Sequence, residues 1–209
     1  LLELRQAIVN KLARENDLHY TVNQIVVSNG AKQSVYNLCM ALLDPGDEVI
    51  LPAPYWVSYA EIVKMAGGVP VIANSSIEQD FKSTPEEIEA LITDRTKFIL
   101  YSSPCNPSGS VFSFEELQAL ALMLQAHEHV LVVSDEIYEH INFTDRHYTI
   151  ASMEGMKDRT VIINGMSKGY AMTGWRLGYI AGPDWIADAC TKIQGQVTSG
   201  ASSFGQKAA

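Results

Sequence analysis

Short apolar segments without a polar face alternate with amphipathic helical segments along the whole chain. Of all the sequence features, this alternation limits the possible folds most strongly. The apolar segments are residues 25–27, 49–51, 69–72, 97–101, 130–133, 160–163 and 178–181. Strands that are apolar on both faces belong to sheets that helices cover on both sides. The pattern therefore predicts an α/β fold, and with no internal repeat or linker we expect one domain.

The segments between these strands carry helix signals. Leu1, Leu4, Ile8 and Leu12 recur at helical spacing, which predicts an amphipathic helix over residues 1 to about 16. Helix starts with capping residues occur at residues 83–87 and 113–116, the second opening a helix to about residue 126. Further helices are predicted from about residue 31 to 42, over 55–66, and from about residue 184.

Composition excludes several functional classes. The chain has 209 residues, of which 47% are hydrophobic, and its net charge is −9. An acidic chain has no general affinity for nucleic acid or anionic lipid, although a local site can still bind a small anion. Cys39, Cys105 and Cys190 form no C-x-x-C pair, so we predict neither a disulfide framework nor a metal site. Sparse cysteines, with no signal peptide and no membrane-length apolar segment, favour a cytoplasmic location.

Polar motifs follow five of the predicted strands. Ligands of such sheets bind beyond the carboxyl ends of the strands, so these motifs are the candidate site. They are the segments Ser-Asn-Gly-Ala-Lys at 28–32, Pro-Ala-Pro-Tyr-Trp at 52–56, Ser-Ser-Pro-Cys-Asn-Pro-Ser-Gly at 102–109, Ser-Asp-Glu-Ile-Tyr at 134–138 and Asn-Gly-Met-Ser-Lys at 164–168.

Taken singly, each motif has an ordinary structural interpretation. The turn at Gly30 leads into a helix N-terminus that could bind an anion, but taken alone it is more simply a plain strand–helix connection. It is not a P-loop, and the chain has no G-x-G-x-x-G dinucleotide motif. Asp135 could face a cation or cap a following helix. Lys168 alone would be solvated, Arg176 alone a surface ion pair, and Trp56 alone part of the core.

The motifs together resemble those of the class I/II aminotransferases, which are fold-type I pyridoxal-phosphate enzymes. Residues 165–178, Gly-Met-Ser-Lys-Gly-Tyr-Ala-Met-Thr-Gly-Trp-Arg-Leu-Gly, match the family's lysine signature. Residues 103–109 are similar to its S-P-x-N-P-[ST]-G loop, and residues 135–138 to its D-E-x-Y segment. Residues 29–33 and 54–59 resemble the bacterial branch near aspartate aminotransferase. The resemblance implies a mostly parallel seven-stranded sheet with helices on both faces.

The resemblance also implies roles for individual residues. Lys168 would form the internal aldimine with pyridoxal 5′-phosphate and then move the proton between the substrate Cα and the cofactor. A base held beside its substrate acts at a high effective concentration, of order 10⁵ M. Asp135 would pair with the pyridine nitrogen, and a protonated ring is the better electron sink. Tyr138 and Asn106 would hydrogen-bond the ring 3′-oxygen.

The cofactor phosphate has its own implied ligands. Arg176 would hold it through the planar guanidinium, and the backbone N–H groups of Gly30, Ala31 and Lys32 would complete the cup. We expect the side chain of Lys32 to be solvated. Trp56 would stack on the ring face, and Ser167 is a further candidate contact.

The family's usual chain is about twice as long as this one. We therefore expect residues 1–209 to be the large cofactor-binding domain, without the N-terminal segment and the C-terminal small domain that complete the substrate site. The resemblance implies a homodimer and amino-group transfer between an L-amino acid and a 2-oxo acid, with aspartate or glutamate first. The alternatives are an aromatic aminotransferase of the same family and a non-catalytic pyridoxal-phosphate-binding module.

Overall fold

The computed structural model describes all 209 residues, and its centre is one seven-stranded sheet. The strands are β1 (Ile25–Ser28), β2 (Glu48–Pro52), β3 (Val69–Ala73), β4 (Thr96–Ser102), β5 (Leu131–Asp135), β6 (Thr160–Gly165) and β7 (Gly178–Ala181). Their order is β1-β7-β6-β5-β4-β2-β3. Only β7 runs against its neighbours, β1 and β6, and the other pairings are parallel. The predicted mostly parallel α/β sheet is confirmed.

Seven α-helices accompany the sheet. They are α1 (Leu2–Asn16), α2 (Ala31–Leu42), α3 (Ser58–Met65), α4 (Pro85–Glu89), α5 (Phe114–Gln125), α6 (Asp184–Val197) and α7 (Ser203–Ala208). The first six agree with the sequence prediction, except that α3 begins at Ser58 rather than at residue 55 because the Pro-Tyr-Trp segment before it is a loop. Helix α7 was not predicted. No helix in the structure combines the length and apolar character needed to cross a bilayer.

The helices cover both faces of the sheet, as the apolar strands require. On β2, Val49 and Leu51 belong to a core cluster formed with α2, α3 and α6. Ile50, which points the other way, packs with α4 and α5. Helix α1 covers the same side at the β1–β7–β6 end, where its Leu4, Ile8 and Leu12 are buried. The helical spacing predicts this stripe, except that Leu1, which the spacing includes, precedes α1 and is exposed.

Local capping explains where α5 starts. The Ser113 hydroxyl accepts a hydrogen bond from the Glu116 N–H at 3.2 Å, and the Glu116 carboxylate accepts one from the Ser113 N–H at 2.7 Å. This reciprocal pair satisfies two N–H groups that the helix cannot. The same arrangement joins Thr84 and Glu87 at the start of α4. Both helix starts predicted from the sequence are confirmed.

The reversed strand β7 brings a second group of residues to the edge where the other strands end. Because β7 runs backwards, its first residue, Gly178, lies at that edge rather than its last. A Cβ placed on Gly178 would lie 2.2 Å from the backbone nitrogen of Ala31 and 2.4 Å from the carbonyl carbon of Gly30. The start of α2 therefore sits against a strand residue that must lack a side chain.

We expect Gly178→Ala to destabilise the protein, by about 1–3 kcal/mol or more, because the added methyl meets backbone that cannot move aside cheaply. Urea unfolding measures the change. Gly195→Ala is the matched control: a Cβ there meets nothing within 4 Å, and alanine within α6 should stabilise by about 0.5–1 kcal/mol. Equal effects of the two substitutions would contradict the packing seen at Gly178.

Candidate active site

A cavity of about 270 Å³ opens at the carboxyl edge of the sheet. Of the ten residues predicted for the site, nine line it: Ala31, Lys32, Trp56, Asn106, Asp135, Tyr138, Ser167, Lys168 and Arg176. The tenth, Gly30, precedes Ala31 as the N-cap of α2. The structure thus brings together residues from five separate motifs.

Asp135, the last residue of β5, lies at the cavity wall with only 4% of its surface exposed. Its Oδ2 accepts a hydrogen bond from the Tyr59 hydroxyl at 2.6 Å, and its Oδ1 accepts one from the Ile137 N–H at 3.1 Å. Burial raises the pKa of Asp135 to about 6, although both donors favour the charged form. The carboxyl is therefore mostly ionised at neutral pH. No helix begins at Glu136, so the alternative that Asp135 is a helix cap is wrong.

Lys168 lies in the loop after β6 and is partly buried. Its Nζ is 5.4 Å from the centroid of the Tyr138 ring. The Tyr138 hydroxyl in turn accepts a long hydrogen bond, 3.5 Å, from the Asn106 amide. An amine, a phenol and an amide from three different strand ends therefore meet on one side of the cavity. Lys168 is not the solvated surface lysine that its isolated context would suggest.

Trp56 forms another wall of the cavity, and Lys32 packs on it. The Lys32 Nζ lies 4.7 Å from the centroid of the Trp56 ring, within the range of a cation–π contact. We expected this side chain to be solvated, and that is only half right. Lys32 is exposed, as expected. Its ammonium nevertheless lies over the Trp56 ring, which lines the cavity, because the face of an aromatic ring attracts a cation.

Arg176 reaches the start of α2 from the segment before β7. Its backbone is left-handed, with φ of 52°, and its guanidinium donates to the Thr173 carbonyl at 2.8 Å rather than to a carboxylate. A Cβ on Gly30 would lie 2.2 Å from Nη2 of Arg176. Glycine at position 30 is thus required for the guanidinium to approach this closely.

The local charge of the cavity is opposite to that of the chain. Lys32, Lys168 and Arg176 contribute three cationic groups and Asp135 one carboxylate, whereas the whole chain carries −9. The first N–H groups of α2 have no partners within the helix, and the helix dipole adds positive potential there. Together with Arg176 they form a cup suited to a phosphate-sized anion.

These groups fit a planar, phosphorylated cofactor such as pyridoxal phosphate. The Gly30 cradle leaves room for the guanidinium at the helix end, so the phosphate cup has both of its parts. The Trp56 ring offers a flat wall, Asp135 a buried anion that would pair with a ring nitrogen, and Lys168 a primary amine that would meet an aldehyde. The chemistry of the donor set, rather than a single motif, makes the fit specific.

Sequence reasoning missed four residues of the cavity wall: Tyr59, Ser102, Ile137 and Thr173. Tyr59 was detectable in principle, because it lies three residues after Trp56 in the segment 54–59 that carries part of the resemblance. Its ring meets Trp56 edge to face, with centroids 5.5 Å apart. Ser102, Ile137 and Thr173 lie in or next to the motifs that supply the predicted residues.

The three cysteines have no role in the cavity. Cys105, within the asparagine loop, donates to the Pro54 carbonyl, and all three cysteines are free thiols.

A buried charge network lies next to the site, around the residue after Asp135. Glu136 is 1% exposed, and its carboxylate accepts hydrogen bonds from Ser134, from Thr149 and from the His147 ring at 3.0 Å. Burial alone would lower the pKa of His147, but the Glu136 carboxylate outweighs it and raises the pKa above its usual value. Glu139, which pairs with Lys11, lies close by.

This pair predicts a pH-dependent stability. A histidine whose pKa is raised by folding stabilises fully below its unfolded pKa, about 6.5, and the gain disappears as the pH rises through the folded value. His147→Gln should therefore cost about 1–3 kcal/mol near pH 6 and progressively less as the pH rises into the alkaline range. Urea unfolding across that range measures the gap. His19→Gln, at an exposed position, should show no such gap, and a pH-independent gap for His147→Gln would contradict the pairing.

Three comparisons with known proteins agree with the geometry. The family model described as "Aminotransferase class I and II" matches residues 1–209. The chain is 52% identical over 209 residues to the bifunctional aspartate aminotransferase and glutamate/aspartate-prephenate aminotransferase of Petunia hybrida, covering 100% of this chain and 44% of that protein. It is 50% identical to a probable aspartate/prephenate aminotransferase of Rickettsia conorii, covering 99% of this chain and 52% of the relative.

A solved structure gives the same result. The aspartate aminotransferase from Rhizobium meliloti superposes with a TM-score of 0.97 at 47% identity, covering 99% of this chain and 52% of that one. The chain thus spans about half the length of the relatives that it matches.

Proposed function

The chain belongs to the class I and II aminotransferase family, and from this premise we propose that the complete protein transfers an amino group between an L-amino acid and a 2-oxo acid. The family depends on pyridoxal 5′-phosphate. Aspartate or glutamate is the amino donor that we propose first. The observation that supports this most is the convergence of Lys168, Asp135, Trp56 and Arg176 on one cavity.

We further propose that residues 1–209 are the large cofactor-binding domain. The chain covers 44–52% of the relatives' lengths, and the described residues form one sheet with both faces covered. Groups that bind the substrate's α-carboxylate would then come from elsewhere in the complete protein or from a second subunit. A homodimer and a cytoplasmic location are parts of the same proposal, the latter supported by three free thiols.

The ten predicted site residues each have a role in this proposal. When bound, pyridoxal phosphate supplies the electron sink that makes the substrate's α proton removable. Lys168 would hold the cofactor and move that proton with its Nζ. The Tyr138 hydroxyl and the Asn106 amide, which hydrogen-bond each other, lie on the same side of the cavity as this amine. Asp135 would hold a negative charge for pairing with the ring nitrogen.

The remaining groups bind and orient. Trp56 limits the tilt of the ring and excludes water from one face. Arg176 and the backbone N–H groups at Gly30, Ala31 and Lys32 hold the phosphate, and the side chain of Lys32 adds a second cation beside that cup. Ser167, which is buried next to Lys168, is proposed as a further contact.

A second candidate acceptor, prephenate, is favoured by the names of relatives. The proteins from Petunia hybrida and Rickettsia conorii are both named for prephenate as well as aspartate. The test is a screen of the complete protein with aspartate, glutamate and aromatic donors against 2-oxoglutarate and prephenate. Transfer from aspartate to either acceptor supports the proposal. Transfer only from aromatic amino acids would assign the aromatic alternative, and bound cofactor without transfer from any donor would assign a non-catalytic binding module.

A further inference from the structure

Tyr59 joins two walls of the cavity that come from different parts of the sheet edge. It lies in α3, is 1% exposed, and belongs to none of the groups that the motifs assign to the cofactor. Its hydroxyl donates to Asp135 Oδ2 at 2.6 Å. The same ring packs edge to face on Trp56, with centroids 5.5 Å apart. A buried phenol with these two contacts is placed to affect both the Asp135 carboxylate and the Trp56 ring.

The two hydrogen bonds to Asp135 fix its carboxylate from both sides. The Ile137 N–H holds Oδ1 from the residue's own segment, and the Tyr59 hydroxyl holds Oδ2 from the helix across the cavity wall. Hydrogen bonds to a charged group are short and favour the charged form. Burial and the nearby Glu136 oppose ionisation, so the two donors are what keeps this carboxyl from a still higher pKa.

We propose that Tyr59 is a positioning residue of the cofactor site: it orients and keeps ionised the carboxylate that faces the ring nitrogen, and it braces the Trp56 ring. The inference rests on the proposed function and deepens it by assigning this role to a residue that touches Asp135 rather than the substrate. It predicts that the effect of Tyr59 on the chemical step passes through Asp135.

Several titratable groups surround Asp135, and their charges also influence the pKa of its carboxyl. They are Tyr59 on α3, Glu136 on its own strand end, and Lys32, Tyr138, Lys168 and Arg176 around the cavity. None of these except Tyr59 donates a hydrogen bond to the Asp135 carboxylate. Removal of the Tyr59 hydroxyl is therefore the change that tests the contact while leaving the other charges in place.

The first test needs no cofactor. In the complete apoprotein, Tyr59→Phe should move the carboxyl-carbon NMR titration of Asp135 to higher pH, with the resonance assigned through Asp135→Asn. Tyr20→Phe is the matched control, because the buried Tyr20 hydroxyl has no hydrogen-bond partner. An unmoved titration in a folded Tyr59→Phe protein would overturn the inference, whatever the enzyme's activity.

The second test asks whether the effect passes through Asp135. We expect Tyr59→Phe to slow the single-turnover reaction of the complete, cofactor-loaded protein with aspartate by about tenfold, because the Asp135 carboxylate then loses a donor that holds it in place and favours its charged form. In an Asp135→Asn background the same change should have little effect, because the two residues are coupled. An equal loss in both backgrounds would assign Tyr59 a merely structural role. Failure of every variant, including the wild type, to bind the cofactor would instead overturn the proposed function.

Discussion

Lys168→Ala should remove the visible absorption of bound pyridoxal phosphate and reduce amino-group transfer by at least about 10⁴-fold, since a tethered base cannot be replaced by bulk amine. The structural reason is the position of Nζ, which lies beside the Tyr138 ring and within the cavity that also holds Asp135. Spectra of the complete protein titrated with pyridoxal phosphate, followed by initial rates with aspartate and 2-oxoglutarate, measure both effects.

Two further lysines make this test specific. Lys192 is exposed on α6, away from the cavity, and Lys192→Ala should leave spectrum and rate unchanged. Lys32→Ala removes the second amine of the cavity, the one over Trp56, and should weaken cofactor binding while the visible band remains. If Lys168→Ala keeps the band and Lys32→Ala loses it, the roles assigned to the two lysines are exchanged. If neither loses it, the site itself is assigned wrongly.

Much of this fold could be predicted because its signals are local. An apolar segment such as 130–133 has no polar face for solvent, so its strand must be covered on both sides. The capping box at Ser113 marks the start of a helix through residues that are close together in the sequence. The positions of Asp135 and Lys168 at one sheet edge follow from the parallel direction of β5 and β6. The start of β7 reaches the same edge because that strand is reversed, and this reversal is not visible in its sequence.

The contacts that sequence patterns could not supply are those between distant segments. Tyr59 and Asp135 are 76 residues apart and meet because the start of α3 reaches the end of β5, which depends on the order of strands in the sheet. Lys32 was expected in solvent because only its backbone N–H had a role in the phosphate cup, and the tertiary placement of Trp56 is what gives its ammonium a partner. Helix α7 is short, and its one clear start signal, Ser202, accepts from the Gly205 N–H only weakly at 3.4 Å.

Asp135→Asn should impair the chemical step far more than cofactor binding. With a pKa of about 6, Asp135 is mostly ionised at neutral pH, so the substitution removes a charge from a buried position. Loss of one preorganised electrostatic partner typically lowers kcat by about 10²–10³-fold, whereas Trp56, Arg176 and the start of α2 would still hold the ring and phosphate. Cofactor affinity and single-turnover rates with aspartate measure the two effects separately. Asp188→Asn, exposed on α6, is the matched control and should change neither.

Stability distinguishes this electrostatic role from a structural one. Because folding raises the pKa of Asp135, the buried carboxylate costs stability above its unfolded pKa, and the cost is fully present once the pH exceeds the folded value. The asparagine variant should therefore be at least as stable as the wild-type apoprotein at neutral pH, even though it is far less active. Urea unfolding decides the point: a variant that loses stability together with activity would mean that Asp135 supports the fold. A stable and inactive variant means that the protein maintains a costly buried charge for its chemistry.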